Sequence, residues 1–128
     1  MKKLFILIAV LFLGTVSFAE EMTKSQQAVA LYNDNNIINA AKVLMSIPEA
    51  DKTAQDWLLM GNILQDENKI SEAQFMFKRA ILVDKKFYKP YYNLANIYLD
   101  EERVVMALDN YKIAVKLKPD FIYGYYNI

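Results

Sequence analysis

The side chains in this chain best suited to recognition are carboxamides and tyrosines that recur at a fixed interval. Asn62 is followed 34 residues later by Asn96, and Asn93 by Asn127. A carboxamide offers two donors and an acceptor oxygen, so a ladder of them can pair with the main chain of an extended peptide. Gln55, Gln65 and Lys89 add polar contacts beside that ladder, and Leu58, Tyr92, Leu99 and Tyr126 could receive apolar side chains. Catalysis is poorly supplied by comparison. The chain has no His and no Cys, which removes Ser–His and Cys–His nucleophiles and most zinc sites. Asp100, Glu101 and Glu102 fall together at the end of a helical pattern and read as solvated carboxylates rather than metal ligands. No catalytic residue, metal site or cofactor site emerges, and the chain reads as a binder rather than an enzyme.

Those side chains need a scaffold, and the scaffold is a repeat. Sliding the chain by 34 residues aligns 54–87 with 88–121. Identities fall at Asn62/Asn96, Ile63/Ile97, Asp66/Asp100, Glu67/Glu101, Ala73/Ala107, Lys78/Lys112, Ala80/Ala114 and Phe87/Phe121. Size classes match as well: Trp57 with Tyr91 and Tyr125, Met60 with Leu94, Gly61 with Ala95, Phe77 with Tyr111. Within each unit the apolar positions step as one face of a helix. Tyr91, Leu94, Ala95 and Tyr98 predict a helix over 88–101, and Ala107, Tyr111, Ala114 and Val115 a second over 104–117. Trp57, Met60, Gly61 and Leu64, then Ala73, Phe77, Ala80 and Ile81, predict the same pair one unit earlier. Thr53 with Asp56, and Ser71 with Gln74, have the spacing of helix-starting capping boxes. Pro48 and Pro119 lie after helices, and Pro90 falls in a first turn, where its missing N–H costs little.

With this spacing the chain resembles the tetratricopeptide repeat family. The family pattern runs large aromatic, x2, Leu, Gly or Ala, x2, Tyr, then Ala, x3, Phe, x2, Ala and a late Pro. Residues 88–121 match it nearly throughout, ending in Pro119; residues 54–87 depart at Leu64 and Lys85. The resemblance implies an all-α fold of helical hairpins stacked as a right-handed α-solenoid, with the first helix of each pair on the concave side. It also implies a protein or peptide partner held along that side. Family members that grip a terminal carboxylate use several Lys and Arg there. Only Lys89 is available here, so the resemblance does not extend to that specificity.

The units divide as 20–52, a degenerate first hairpin, then 53–87 and 88–121 as repeats, then 122–128 as the start of a further, truncated repeat. The first hairpin rests on Ala28, Leu31, Ala40, Leu44 and Ile47 at a 33-residue interval and lacks the large first aromatic, as suits an end repeat. At the other end Ile128 aligns with Leu94 and Met60 in mid-helix. This predicts a longer array than the sequence contains, with Tyr123, Tyr125, Tyr126 and Ile128 as an apolar end open to self-association.

Residues 1–19 read as a secretory signal peptide. Lys2 and Lys3 precede an apolar run from Leu4 to Gly14, and small Ser17 and Ala19 stand at a signal peptidase spacing. The run is well short of the roughly 20 residues that span a bilayer. Cleavage after Ala19 leaves 13 basic and 15 acidic side chains, which does not recommend nucleic acid, and no membrane contact is expected once the leader is gone. The tyrosines of 88–98 do not make a base-stacking platform, because the period assigns Tyr91 and Tyr98 to the core. The function expected is a periplasmic or secreted protein-interaction scaffold. The alternatives are a non-catalytic N-terminal part of a larger exported enzyme or envelope assembly, and a self-associating structural piece.

Overall fold

A computed structural model describes residues 21–121. They form six α-helices: α1 (Lys24–Asn33), α2 (Ile37–Ser46), α3 (Ala54–Asp66), α4 (Ile70–Val83), α5 (Tyr88–Asp100) and α6 (Val104–Leu117). A single 3-10 turn, Glu49–Asp51, lies between α2 and α3. Consecutive helices pair as three hairpins, and the hairpins stack. Among the described residues there is no strand.

The first and third helices start on capping boxes. Thr23 accepts from Gln26 N–H while Gln26 accepts from Thr23 N–H, and Thr53 with Asp56 repeats the exchange. The box expected at Ser71 and Gln74 does not form. Helix α4 begins two residues earlier than that box implies, at Ile70, with Lys69 as an N-cap that makes no side-chain bond, and Gln74 Nε2 donates to Glu101 Oε1 instead. The hairpin turn explains this. Asn35, Asn68 and Glu102 each sit at φ near +60°, one in every hairpin. The N–H one residue later reaches back to the helix at 2.8 Å in all three: Asn36 to Leu31, Lys69 to Leu64, Arg103 to Tyr98. This is a Schellman closure, which already fixes the entry of the second helix. Asn tolerates the left-handed region, whereas Glu102 occupies it against its steric preference.

Helix α2 has 10 residues where α4 and α6 have 14. Pro48 follows it and the short 3-10 turn takes up the difference. Glu49 in that turn pairs with Arg79 of α4 at 2.5 Å, and the Arg79 guanidinium lies 4.7 Å from the Trp57 ring centre. Trp57 is thereby buried among Ala54, Ala80, Met60, Met76 and Phe87.

The small residues do what their spacing predicts. Ala73, Ala80, Ala95, Ala107 and Ala114 are all buried, and so is Gly61. A methyl group at Gly61 would stand 2.4 Å from Phe77 Cε1 and 2.7 Å from Cδ1. Bare backbone at 61 is what lets the Phe77 ring lie between α3 and α4. The largest apolar cluster then runs across the second and third hairpins, joining Leu58 and Phe77 to Leu94, Ile97, Tyr98 and Tyr111. A second cluster ties the first hairpin on, through Ala28, Ala40 and Leu44 against Leu59 and Ile63.

Leu58, expected to receive a partner's apolar side chains, is instead packed in the core, as is its neighbour Leu59. They are 2% and 3% exposed. A first helix touches its own partner helix and also both neighbouring hairpins, so its buried arc is wider than a single apolar stripe.

Substitution at Gly61 tests the close approach. Gly61→Ala gains about 1 kcal/mol in helix propensity. Displacing a buried ring costs about 1–3 kcal/mol. The expected outcome is a lower melting midpoint by circular dichroism, partly restored when Phe77→Leu is added. A raised midpoint in Gly61→Ala would show that the ring can step aside.

Candidate functional site

The first helices of the three hairpins line one groove of about 400 Å³. Helix α1 brings Val29, Tyr32 and Asn33 to it, α3 brings Gln55, Leu58, Leu59 and Asn62, and α5 brings Tyr88, Lys89, Tyr92 and Asn93. Phe121, beyond α6, completes the lining. The second helices α2, α4 and α6 contribute nothing to this lining and form the outer face.

At its centre Asn93 Nδ2 donates to Asn62 Oδ1 at 2.9 Å, bridging α5 and α3. After that bond Asn62 retains two N–H donors, and Asn93 retains its oxygen and a second N–H. The sequence paired Asn62 with Asn96, and the structure replaces that pair. Asn96 is turned toward α6, where its Oδ1 accepts from the Tyr111 hydroxyl. The Asn62–Asn93 bond joins first helices 31 residues apart, and Ser25 Oγ donates to Asp56 Oδ2 across the α1–α3 junction with the same offset, whereas the longer Tyr32 side chain reaches Asp66 at 34. The repeat period matches equivalent positions, and the helix one turn earlier supplies the neighbour.

Of the residues expected to bind, Gln55, Leu58, Asn62, Lys89, Tyr92 and Asn93 come together in the groove. Leu58 is its buried floor. Gln65, Asn96 and Leu99 lie outside the lining, and Leu99 is exposed near the C-terminal end of α5. Tyr126 and Asn127 lie outside the described residues. Sequence reasoning missed Val29, Tyr32, Asn33, Tyr88 and Phe121. Tyr32 and Asn33 belong to the hairpin with the weakest repeat pattern. Phe121 repeats Phe87, but the period does not say that its ring meets other rings.

Those rings build one wall. Phe121 packs edge-on against Tyr92 at 4.7 Å and tilted against Tyr88 at 4.9 Å, and Tyr92 lies 5.8 Å from Tyr111. Edge-to-face rings are favourable pairs, so Tyr92 is held in place rather than free to swing. Lys118 Nζ lies 5.2 Å over Tyr88, a cation above an aromatic face. Near the far end of α3, the Tyr32 hydroxyl donates to Asp66 Oδ2 at 3.5 Å. Burial raises the Tyr32 phenol above its usual range, and the Asp66 carboxylate adds to the rise. Tyr91 is likewise raised, by burial first and then by Asp84, while its hydroxyl donates to the Lys85 carbonyl at 3.0 Å. The Tyr111 phenol is pushed up to about 12 by burial, with smaller contributions from Tyr92 and Asp100.

Chemically the groove offers amide hydrogen bonds, aromatic walls and one cation, Lys89. Among the described residues no group of three His, Cys, Asp or Glu could hold a metal ion, and no helix is long and apolar enough to cross a membrane.

A family model described as tetratricopeptide repeat matches residues 56–87 and 88–121, just over half of the chain. Among 51 matching chains of solved structure is the crystal structure of MamA, with a TM-score of 0.65 and 20% identity. The match covers 77% of this chain and 58% of that one, so the chain spans a little over half the length of MamA. At that identity the likeness shows the fold. No curated protein matches the chain.

The tyrosines give the fold a pH limit. Below pH 10 the Tyr111 phenol is protonated in both folded and unfolded chains, and its contribution to stability is complete. Between pH 10 and about 12 the unfolded chain loses that proton while the folded chain keeps it, so stability falls as pH rises. Tyr32 and Tyr91 act in the same direction. The urea midpoint should decline across this window, and Tyr111→Phe should flatten the decline. An unchanged slope in Tyr111→Phe would contradict the assignment.

Proposed function

Because the chain belongs to the tetratricopeptide repeat family, whose repeats are protein-interaction modules, we propose that it is an exported scaffold holding an extended segment of another polypeptide. The segment lies in the groove of the first helices. The observation that carries this reading is the Asn62–Asn93 bridge, with donors and an acceptor left over and Tyr88, Tyr92 and Lys89 beside it. An extended main chain presents alternating N–H and C=O groups, which the remaining carboxamide atoms can meet in pairs. The aromatic wall takes apolar side chains, and Lys89 favours an acidic group at that edge. A groove with an apolar floor and a few placed polar groups is the usual form of a binding site.

Export rests on the leader: two lysines, the run Leu4–Gly14, and Ser17 with Ala19. It places the scaffold in the periplasm or outside the cell, as a chain cleaved after Ala19.

Both halves are tested on the exported product. Its intact mass should lack Met1–Ala19, and on a tiled array of extended decapeptides it should select a defined set. For a selected peptide, Asn62→Ala with Asn93→Ala should weaken binding by about 1–3 kcal/mol with little change in melting midpoint. An unchanged affinity would move the site away from the groove.

A further inference from the structure

The outer face carries an amphiphilic pattern that the groove does not use. Its outermost positions step by four and three residues along each second helix, and all are exposed. On α2 they are Ile38, Lys42 and Met45. On α4 they are Ser71, Phe75, Lys78 and Leu82. On α6 they are Val105, Asp109, Lys112 and Lys116. Five of these eleven are large apolar side chains that are 56–75% exposed. Four are lysines, and none of the four is in an ion pair among the described residues. The carboxylates there are Asp109 and, on the flank beside Met45, Glu72 and Glu67, the latter paired with Lys69; Glu49, in the 3-10 turn after α2, is neutralised by Arg79.

We infer that the outer face of α2, α4 and α6 is a docking surface for an anionic lipid bilayer. Lysines alternating with large apolar side chains suit a membrane interface, where apolar groups enter the headgroup boundary and ammonium groups meet lipid phosphates. The distribution favours a bilayer over a protein. Met45 lies at an apolar groove beside Met60, Leu64 and Met76, but Ile38, Phe75, Leu82 and Val105 are outside that groove and alternate with the lysines along three helices, rather than forming the single core patch of a specific protein interface. A fluid interface accepts each side chain separately, and lysine stems can lie along apolar surface while their heads reach the phosphates. The inference goes beyond peptide binding and does not depend on it, because the groove opens on the opposite side. It also departs from the sequence expectation of no membrane contact after leader removal. Net charge does not reveal that four lysines share one face.

The test compares variants of the exported protein that share one N-terminus, so that any leader contributes equally. Co-sedimentation would use phosphatidylcholine vesicles with and without about a third phosphatidylglycerol. The wild type should bind the anionic vesicles and not the neutral ones. Lys42→Glu with Lys78→Glu and Lys112→Glu should weaken partitioning by about tenfold or more. A second variant, Phe75→Ser with Leu82→Ser, should weaken it without reversing charge, and both should keep the wild-type melting midpoint. Failure of the wild type to sediment with anionic vesicles would overturn the inference, as would variants that bind them equally well. Unchanged vesicle binding with lost binding of poly-glutamate would assign the face to an acidic protein instead, and overturn it too.

Discussion

Everything in this fold depends on how closely two helices of a hairpin can approach. At Gly61 a side chain of any size would strike the Phe77 ring, and Phe77 is fully buried. The next hairpin sets Ala95 and Tyr111 in the corresponding places, within the same apolar cluster. An aromatic ring from the second helix fills the gap that a small residue leaves on the first. That packing fixes each hairpin, and the hairpins then bury their remaining apolar faces on one another. With no cysteine in the chain, nothing covalent supplements it.

The row of first helices follows from this packing, and the groove follows from the row. Second helices turn Phe77 and Tyr111 inward to the first helices and their lysines outward, and the polar groups that line the groove come from α1, α3 and α5. The Schellman turns keep each hairpin at the same entry geometry although their central residues differ, two Asn and one Glu. The Asn62–Asn93 bond therefore couples neighbouring repeats on the side that the groove opens to.

Much of this architecture was legible in the sequence. The 34-residue period, the small residues, the proline positions and the spans of α3 to α6 all follow from type and spacing. The misreadings share a cause. A period aligns each residue with its equivalent, so it paired Asn62 with Asn96, whereas facing helices meet one turn earlier and bring Asn93 there. Leu58 looked free because a stripe drawn on one helix omits the arcs covered by two neighbouring hairpins. Ser71 looked like a cap because the left-handed turn at Asn68, which starts α4 earlier, leaves no mark in a Ser-x-x-Gln spacing. The ring cluster of Phe121, Tyr88 and Tyr92 is a meeting of distant positions that periodicity alone does not show.

The central functional claim is that another polypeptide lies along the first helices. Site-specific photocrosslinking addresses it most directly, with a benzophenone side chain placed at Gln55 in the groove or at Ser71 on the outer face. A discrete protein adduct should form from Gln55, competed by the peptide selected on the array, and none from Ser71. Protein adducts from Ser71 with none from Gln55 would contradict it.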